Sequence, residues 1–304
     1  FMGTPIFCVP ILKSLYQNGY NISVVFTQPP QKSHRGQKIN KSPIQGISET
    51  LNIDFRTPKT LKDNHEEYEF LKELNADLAI VCAYGQIIPE NFLNLTKKGF
   101  VNIHASILPS WRGAAPIQRS IMNLDPETGI SIMKIKKELD SGPVSNIYKI
   151  KIDQNQNAQE ISEKLSALAA EKILDNVDDI LEDKAKFIDQ DHSKATYAKK
   201  IDKEESRIDW DEDASKIIGK INGLFPSPGA SFSFNGERYK ILKAEIGNGI
   251  GQVGEIISNQ LEVACNKNQS IKILEIQRQG KRPQKISEFM LGSQIKKGSK
   301  LSNV

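Results

Sequence analysis

The sequence predicts an α/β protein in two parts: a Rossmann-like domain with an open, mainly parallel sheet, then a small β-barrel. Three observations carry this. Short apolar runs rich in β-branched residues alternate with helical stretches through the first half, as buried parallel strands require. A polar stretch near residues 191–206 breaks that rhythm. Short strands and one hairpin signal follow it.

Residues 21–27 (NISVVFT) and 77–84 (DLAIVCAY) are the first clear strands, with a helix over 66–74 between them. Gly3 is read as a tight turn from the first strand into the first helix. Gly3-Thr4-Pro5 lacks Gly-x-Gly-x-x-Gly spacing, which argues against a nicotinamide cofactor. Further strands are expected at 101–106, 129–134 and 146–152. Ile161, Leu165, Leu168, Ile173, Val177 and Ile180 recur at three to five residues, an amphipathic helix ending near Asp183. Residues 184–203 read as a linker plus a final strand. A helix over 214–223 and the run FPSPG precede the second set of strands. Asn235-Gly236, between 231–234 and 237–242, suits a type I′ turn. Strands at 252–257, 261–265 and 270–276 would complete the barrel. The expected division is a catalytic domain over 1–190, a linker over 191–206 and a second domain over 207–304.

A chain of 304 residues accommodates two domains. Its 38% hydrophobic and 26% charged content fits a soluble globular protein and excludes a largely disordered one. No run approaches the roughly 20 apolar residues of a membrane span, and no signal peptide is visible. The expectation is therefore no membrane partner, a bacterial-type cytoplasmic location (an organellar matrix being the alternative) and a monomer. Cys8, Cys82 and Cys265 sit singly on apolar runs and read as buried reduced thiols. No Cys-x-x-Cys or His-x-x-x-His pair is present, and His34, His65 and His192 are scattered, so no metal is expected.

Net charge is +4 but unevenly spread. Residues 28–48 hold no acid yet contain Lys32, Arg35, Lys38 and Lys41. From 265 to 304, nine Lys/Arg, among them Lys281, Arg282 and Lys285, face only Glu275 and Glu288. Two such concentrations suit a polyanion held at two places; each alone equally suits a solvated surface.

The segment 101–118, VNIHASILPSWRGAAPIQ, is the most informative in the chain. On a strand, Asn102, His104 and Ser106 share one face, while Val101, Ile103 and Ala105 form the apolar other. Ile-Leu-Pro then ends the strand. Polar groups gathered where a strand runs out mark an open α/β active site.

That segment closely resembles the signature of the 10-formyltetrahydrofolate-dependent formyltransferases, most closely the methionyl-tRNA formyltransferases. The resemblance continues through FMGTPIFCVP (1–10), VCAYGQIIP (81–89), ETGISIM (127–133), ELDSGP (138–143), TYAKK (196–200) and SRIDW (206–210). The resemblance implies that the second domain is an OB-like barrel. Family members begin a few residues earlier, so the chain is read as lacking its extreme N-terminus.

The resemblance promotes Asp140, otherwise an ordinary turn former, to a catalytic set with Asn102 and His104. Such chemistry has an amine attack a formyl carbonyl through a tetrahedral oxyanion. Asn102 can donate to the oxygen where charge develops. His104, kept cationic by Asp140, can donate more strongly and protonate the departing nitrogen, while Asp140, directly or through water, accepts the proton of the amine. How these transfers divide between His104 and Asp140 stays open. The resemblance also assigns the folate contacts: Ser106, Ile107, Leu108 and Pro109, with Arg112 to Gln118, on one side, and Tyr84, Gly85 and Gln86, through backbone groups, on the other.

The connection over residues 28–43 is long for a strand-to-helix loop, which usually takes about two to six residues. In the resembling enzymes it enters the tRNA acceptor stem with an Arg-Gly-x-Lys core, here Arg35 to Lys38, and is expected to be mobile without tRNA. The reading is transfer of formyl from 10-formyltetrahydrofolate to methionyl initiator tRNA. The nearest rival is a folate-dependent sugar-amine formyltransferase; the WRGAAPIQ run and the acid-free basic loop favour tRNA. A glycinamide ribonucleotide transformylase would not need residues 207–304. A binding module with a dead transferase domain would not need Asn102, His104 and Asp140 intact.

Overall fold

The computed structural model describes residues 1–32 and 39–301. They divide into two compact units. The first comprises Phe1–Gly113, Gly129–Ile150 and Ser162–Tyr197, the second Ala114–Thr128, Lys151–Ile161 and Ala198–Val304.

The first unit is built on strands β1 (Met2–Gly3) and β2 (Val25–Phe26), the hairpin β3 (Gln31–Lys32) with β4 (Ile39–Asn40), β5 (Phe55–Arg56), β6 (Ala79–Cys82) and β7 (Phe100–His104). The short β8 (Arg112–Gly113), then β9 (Glu127–Lys134), β10 (Val144–Lys151) and the short β11 (Tyr197–Ala198) complete the set. Seven of these form one sheet in the order β10-β9-β7-β6-β1-β2-β5. The run β5-β2-β1-β6-β7 is parallel, and β9 joins β7 antiparallel. The open, mainly parallel sheet agrees with the sequence. β2 is shorter than residues 21–27, because its neighbours β1 and β5 offer two residues each for pairing.

Helices α1 (Val9–Gln17), α2 (Pro43–Leu51) and α3 (His65–Leu74) connect the parallel strands. α2 starts where Ser42 accepts from the Gln45 N–H and Pro43 occupies the first turn, an ordinary N-terminal cap. Asn64 caps α3 in the same way, and Glu66 and Glu67 complement its dipole. On α5 (Ala158–Leu181), Ile161, Leu165, Ile173, Val177 and Ile180 are buried as their spacing predicts, while Leu168 is only partly buried. Ser14 and Ser166 fix α1 and its lead-in to this helix through the carbonyls of Ala170 and Phe7. Gly3 does not adopt a turn conformation as expected. It ends β1 where a Cβ would lie 2.8 Å from Phe1, 3.0 Å from Cys8 and 3.1 Å from the Cys82 carbonyl, so close packing explains the missing side chain.

The second unit has helices α4 (Pro116–Met122) and α6 (Ala214–Leu224) and strands β12 (Ser231–Phe234), β13 (Glu237–Ile246), β14 (Glu262–Cys265), β15 (Gln269–Arg278) and β16 (Gln284–Lys285), followed by α7 (Ile286–Gly292). Gly219 and Gly223 lie one turn apart on α6. A Cβ at Gly223 would lie 2.5 Å from Met122 and 2.9 Å from the Gln118 carbonyl, so only glycine allows α4 this close. Asn235 and Gly236 have φ of 49° and 77°, as a type I′ turn demands.

One expectation is corrected here. Residues 252–257 form no strand. Gly254 takes a left-handed φ of 77°, and a Cβ there would meet the Leu301 carbonyl at 2.4 Å, so the segment turns and makes only single bridges. The described strands form a five-stranded antiparallel sheet, β12-β13-β15-β14 with β16 on β15. Each outer edge is extended by an isolated bridge, Arg207 to Ser231 and Ile256 to Val263.

Candidate active site

β7 lies inside the first sheet, between β6 and β9, and its burial leaves only Asn102 partly open. His104, opposite Ser131 in register, ends the strand. Here the sheet presents its polar groups at the carboxyl end of a parallel strand, the usual place for ligands in such folds.

Asp140 arrives from the connection between β9 and β10 with a φ of 47°, uncommon for a residue with a side chain. Its Oδ1 lies 3.4 Å from Asn102 Nδ2 and its Oδ2 lies 3.6 Å from His104 Nδ1. The same Oδ2 accepts the Gly113 backbone N–H at 2.8 Å. His104 Nε2 sits 2.9 Å from the Trp111 carbonyl. A carbonyl only accepts, so Nε2 is the donor there, and Nδ1 faces Asp140. The three residues singled out in the sequence thus converge, joined by two backbone groups that no pattern announced.

Ser106 is not the third member of a strand face. β7 ends at His104, and Ser106 is buried beyond it with its hydroxyl donating to the Ser110 carbonyl at 2.6 Å. The turn it begins is tied to the sheet by Ser131, whose Oγ donates to the Ser106 carbonyl at 2.7 Å and accepts from Leu108 N–H at 3.1 Å. Leu108 is buried, while Ile107 and Pro109 are partly open. A lone serine inside the apolar run ISIM was the sequence signal for this tie, and it was missed.

On the other side, the Tyr84 ring is a core group, packed with Met2, Phe26, Phe92 and Phe100, and burial pushes its phenol above the usual range. Only its backbone is available. The Tyr84 carbonyl accepts from Thr4 Oγ1 at 2.8 Å, and the Gly85 carbonyl from Gln28 Nε2 at 2.7 Å. Gln86 donates to the Pro58 carbonyl at 2.7 Å, and its buried Oε1 has no partner among the described residues. Gln118 lies in the second unit, on α4, partly buried.

Arg112 corrects the expectation of a folate-side arginine. It is 3% exposed, and its guanidinium donates through Nε and Nη2 to Gln190 Oε1 at 3.1 and 2.7 Å.

Of the basic residues, Arg35 and Lys38 lie outside the described residues, as does the side chain of Lys32. The feet of their loop are joined by β3 pairing with β4 and by Thr27 Oγ1 to Ser42 Oγ at 2.7 Å. Lys41 pairs with Glu49 at 2.9 Å, and the Lys41 hydrogen bond holds the Glu49 carboxyl below its usual range. Lys281, Arg282 and Lys285 are exposed, on the β15–β16 turn and on β16, with no ion pair among the described residues.

The formyl transferase family model matches residues 1–177, and the formyl transferase C-terminal domain matches residues 200–294. The methionyl-tRNA formyltransferase of Pelagibacter ubique (strain HTCC1062) is 67% identical over 304 residues, covering 100% of this chain and 98% of that protein. That of Mesorhizobium japonicum is 39% identical over 313 residues, covering 99% and 98%. The chain belongs to the formyl transferase family and, within it, to the methionyl-tRNA formyltransferases.

Among solved structures, a sugar 3N-formyl transferase crystallised with dTDP and 5-N-formyl-THF gives a TM-score of 0.69 at 20% identity, over 92% of this chain and 97% of that one. The N-formyltransferase of Helicobacter canadensis, in complex with folinic acid and dTDP-3-aminofucose, gives 0.68 at 18%, over 91% and 97%. Both share the fold.

Proposed function

We propose that this enzyme moves the formyl group of 10-formyltetrahydrofolate to the α-amine of methionine on initiator tRNA. One observation carries the reading: Asn102, His104 and Asp140 converge within 3.6 Å at the end of β7. The activity named for its relatives, at 67% and 39% identity, points to the same transfer.

The folate supplies an activated formyl carbonyl when bound. Residues 84–86 and 106–109 would hold it, and the unpartnered Gln86 Oε1 suits an N–H of a pterin edge. Asn102 Nδ2 has two hydrogens; one faces Asp140 and the other is free to donate where negative charge grows. His104 Nδ1 faces the Asp140 carboxylate at 3.6 Å and would carry the proton given to a departing nitrogen. Asp140 retains lone pairs beyond the one given to Gly113, enough to accept from the attacking amine. Catalysis is assigned to residues 1–190 and the holding of tRNA phosphates to residues 207–304, with Lys32, Arg35, Lys38 and Lys41 placed at the acceptor end. The enzyme is read as a cytoplasmic monomer; no described helix is long and apolar enough to cross a membrane.

The test offers 10-formyltetrahydrofolate with methionyl initiator tRNA or with a dTDP-amino sugar as acceptor. Formylation of the charged tRNA alone is expected. Preferential formylation of the sugar would overturn the reading.

A further inference from the structure

We infer that Gln190 is a positioning residue that sets the aim of the Asp140 carboxylate; this rests on Asp140 acting in the proposed transfer. Gln190 is 9% exposed, and every polar position of its amide is used. Nε2 donates to the backbone carbonyls of Asp140 at 2.8 Å and Gly142 at 2.7 Å, straddling the catalytic residue's own peptide. Oε1 accepts twice from Arg112, at 3.1 and 2.7 Å. Arginine only donates and carbonyls only accept, so the amide can sit one way only. Arg112 is in turn oriented by its Nη2 contact to His192 Nδ1 at 3.1 Å and by its backbone N–H bond to the Thr196 carbonyl at 2.9 Å.

The loop needs such a clamp. Asp140 holds a left-handed φ of 47°, and Trp111, whose carbonyl fixes His104, holds one of 61°. Conformations of this kind persist only where surrounding bonds over-determine them. Gly142 is pressed on β9, where a Cβ would fall 1.8 Å from the Lys134 carbonyl. Past Gly142, the Pro143 carbonyl accepts from Lys134 N–H at 2.9 Å. Those contacts fix the outgoing end of the loop. Gln190 fixes the residue that carries the carboxylate, through the Asp140 carbonyl. Arg112 links this clamp to β8, whose Gly113 N–H holds the carboxylate itself, so one strand steadies Asp140 from both ends.

The test measures kcat, both KM values and Tm for Gln190→Ala, Gln190→Glu, Asp140→Asn and the double variant Gln190→Ala/Asp140→Asn, well below the lowest Tm. Gln190→Glu keeps the bulk and the acceptor for Arg112 but loses both donors. Each Gln190 variant is expected to lose about tenfold or more in kcat, with both KM values within about twofold, because a misplaced group damages attack geometry. In the Asp140→Asn background, Gln190→Ala should add less than about twofold, the mark of two residues acting as one unit. Parental kcat for Gln190→Glu, or the full Gln190→Ala loss persisting in the Asp140→Asn background, would overturn the inference and leave the role of Asp140 intact. Parental turnover for Asp140→Asn itself would overturn the underlying assignment, and the inference with it.

Discussion

Ser131→Ala is a small change with a large expected effect. The hydroxyl is fully buried and joins β9 to the turn after β7 by two bonds, to the Ser106 carbonyl at 2.7 Å and from Leu108 N–H at 3.1 Å. Alanine fills nearly the same volume, so the cavity contribution is minor. Two buried backbone groups lose their partner, at roughly 1 to 3 kcal/mol each. Allowing for relaxation of the turn, a loss of about 2 to 4 kcal/mol is expected, against the roughly 5 to 15 kcal/mol of a typical domain. Trp111 lies in the first unit and Trp210 in the second, so Trp210→Phe leaves Trp111 fluorescence as the reporter of the first unit alone. Urea unfolding should then show a midpoint lower by about 1 to 2 M, at an m-value of about 2 kcal/mol/M. The same loosening should raise the folate KM by about tenfold, since residues 106–109 are its proposed seat. A midpoint moved by less than about 0.2 M with an unchanged folate KM would refute the role given to this tie.

The two basic regions should differ in kind. Neutralising Lys281, Arg282 and Lys285 should raise the tRNA KM with kcat nearly unchanged and flatten the salt slope of binding by about one unit per lost phosphate contact. Arg35→Ala should instead lower turnover at saturating tRNA, which a salt series on both variants will separate. A third expectation concerns acid. Glu205 is gripped by Arg119 at 2.6 and 2.9 Å, and that hydrogen-bonded pairing holds its carboxyl below the usual range. A depressed folded pKa contributes stability above the unfolded value of 4.5 and loses it as pH falls below. Glu205→Gln should therefore lower the Tm at pH 7 and flatten its fall through that window; parallel Tm curves would rule the contribution out.

How much of this was legible follows from which forces are local. A continuous apolar run announced β6, and the repeated burial of one face announced α5, because both signals are local to the chain. The grouping of Asn102 and His104 was visible for the same reason, and Asp140 only through resemblance. The partners that orient them were not visible. Gln190, Gly113 N–H and the Trp111 carbonyl reach the site through tertiary contact, and a backbone N–H carries no sequence signal. Arg112 looked like a ligand contact because its neighbours were a motif, yet a buried cation satisfied by Gln190 is a structural group. Residues 252–257 read as a strand from their apolar residues, but Gly254 gives the chain a left-handed turn there.

The central claim is that Asn102, His104 and Asp140 act together on the formyl transfer. It is tested most directly by single-turnover formylation of methionyl initiator tRNA at saturating folate and enzyme, with Asn102→Ala, His104→Ala and Asp140→Asn beside the parent. Each variant should keep its fold, since the three groups gather at the end of β7, and each should be slower by at least about 100-fold. Near-parental turnover in any one of them, with a normal Tm, would contradict the account.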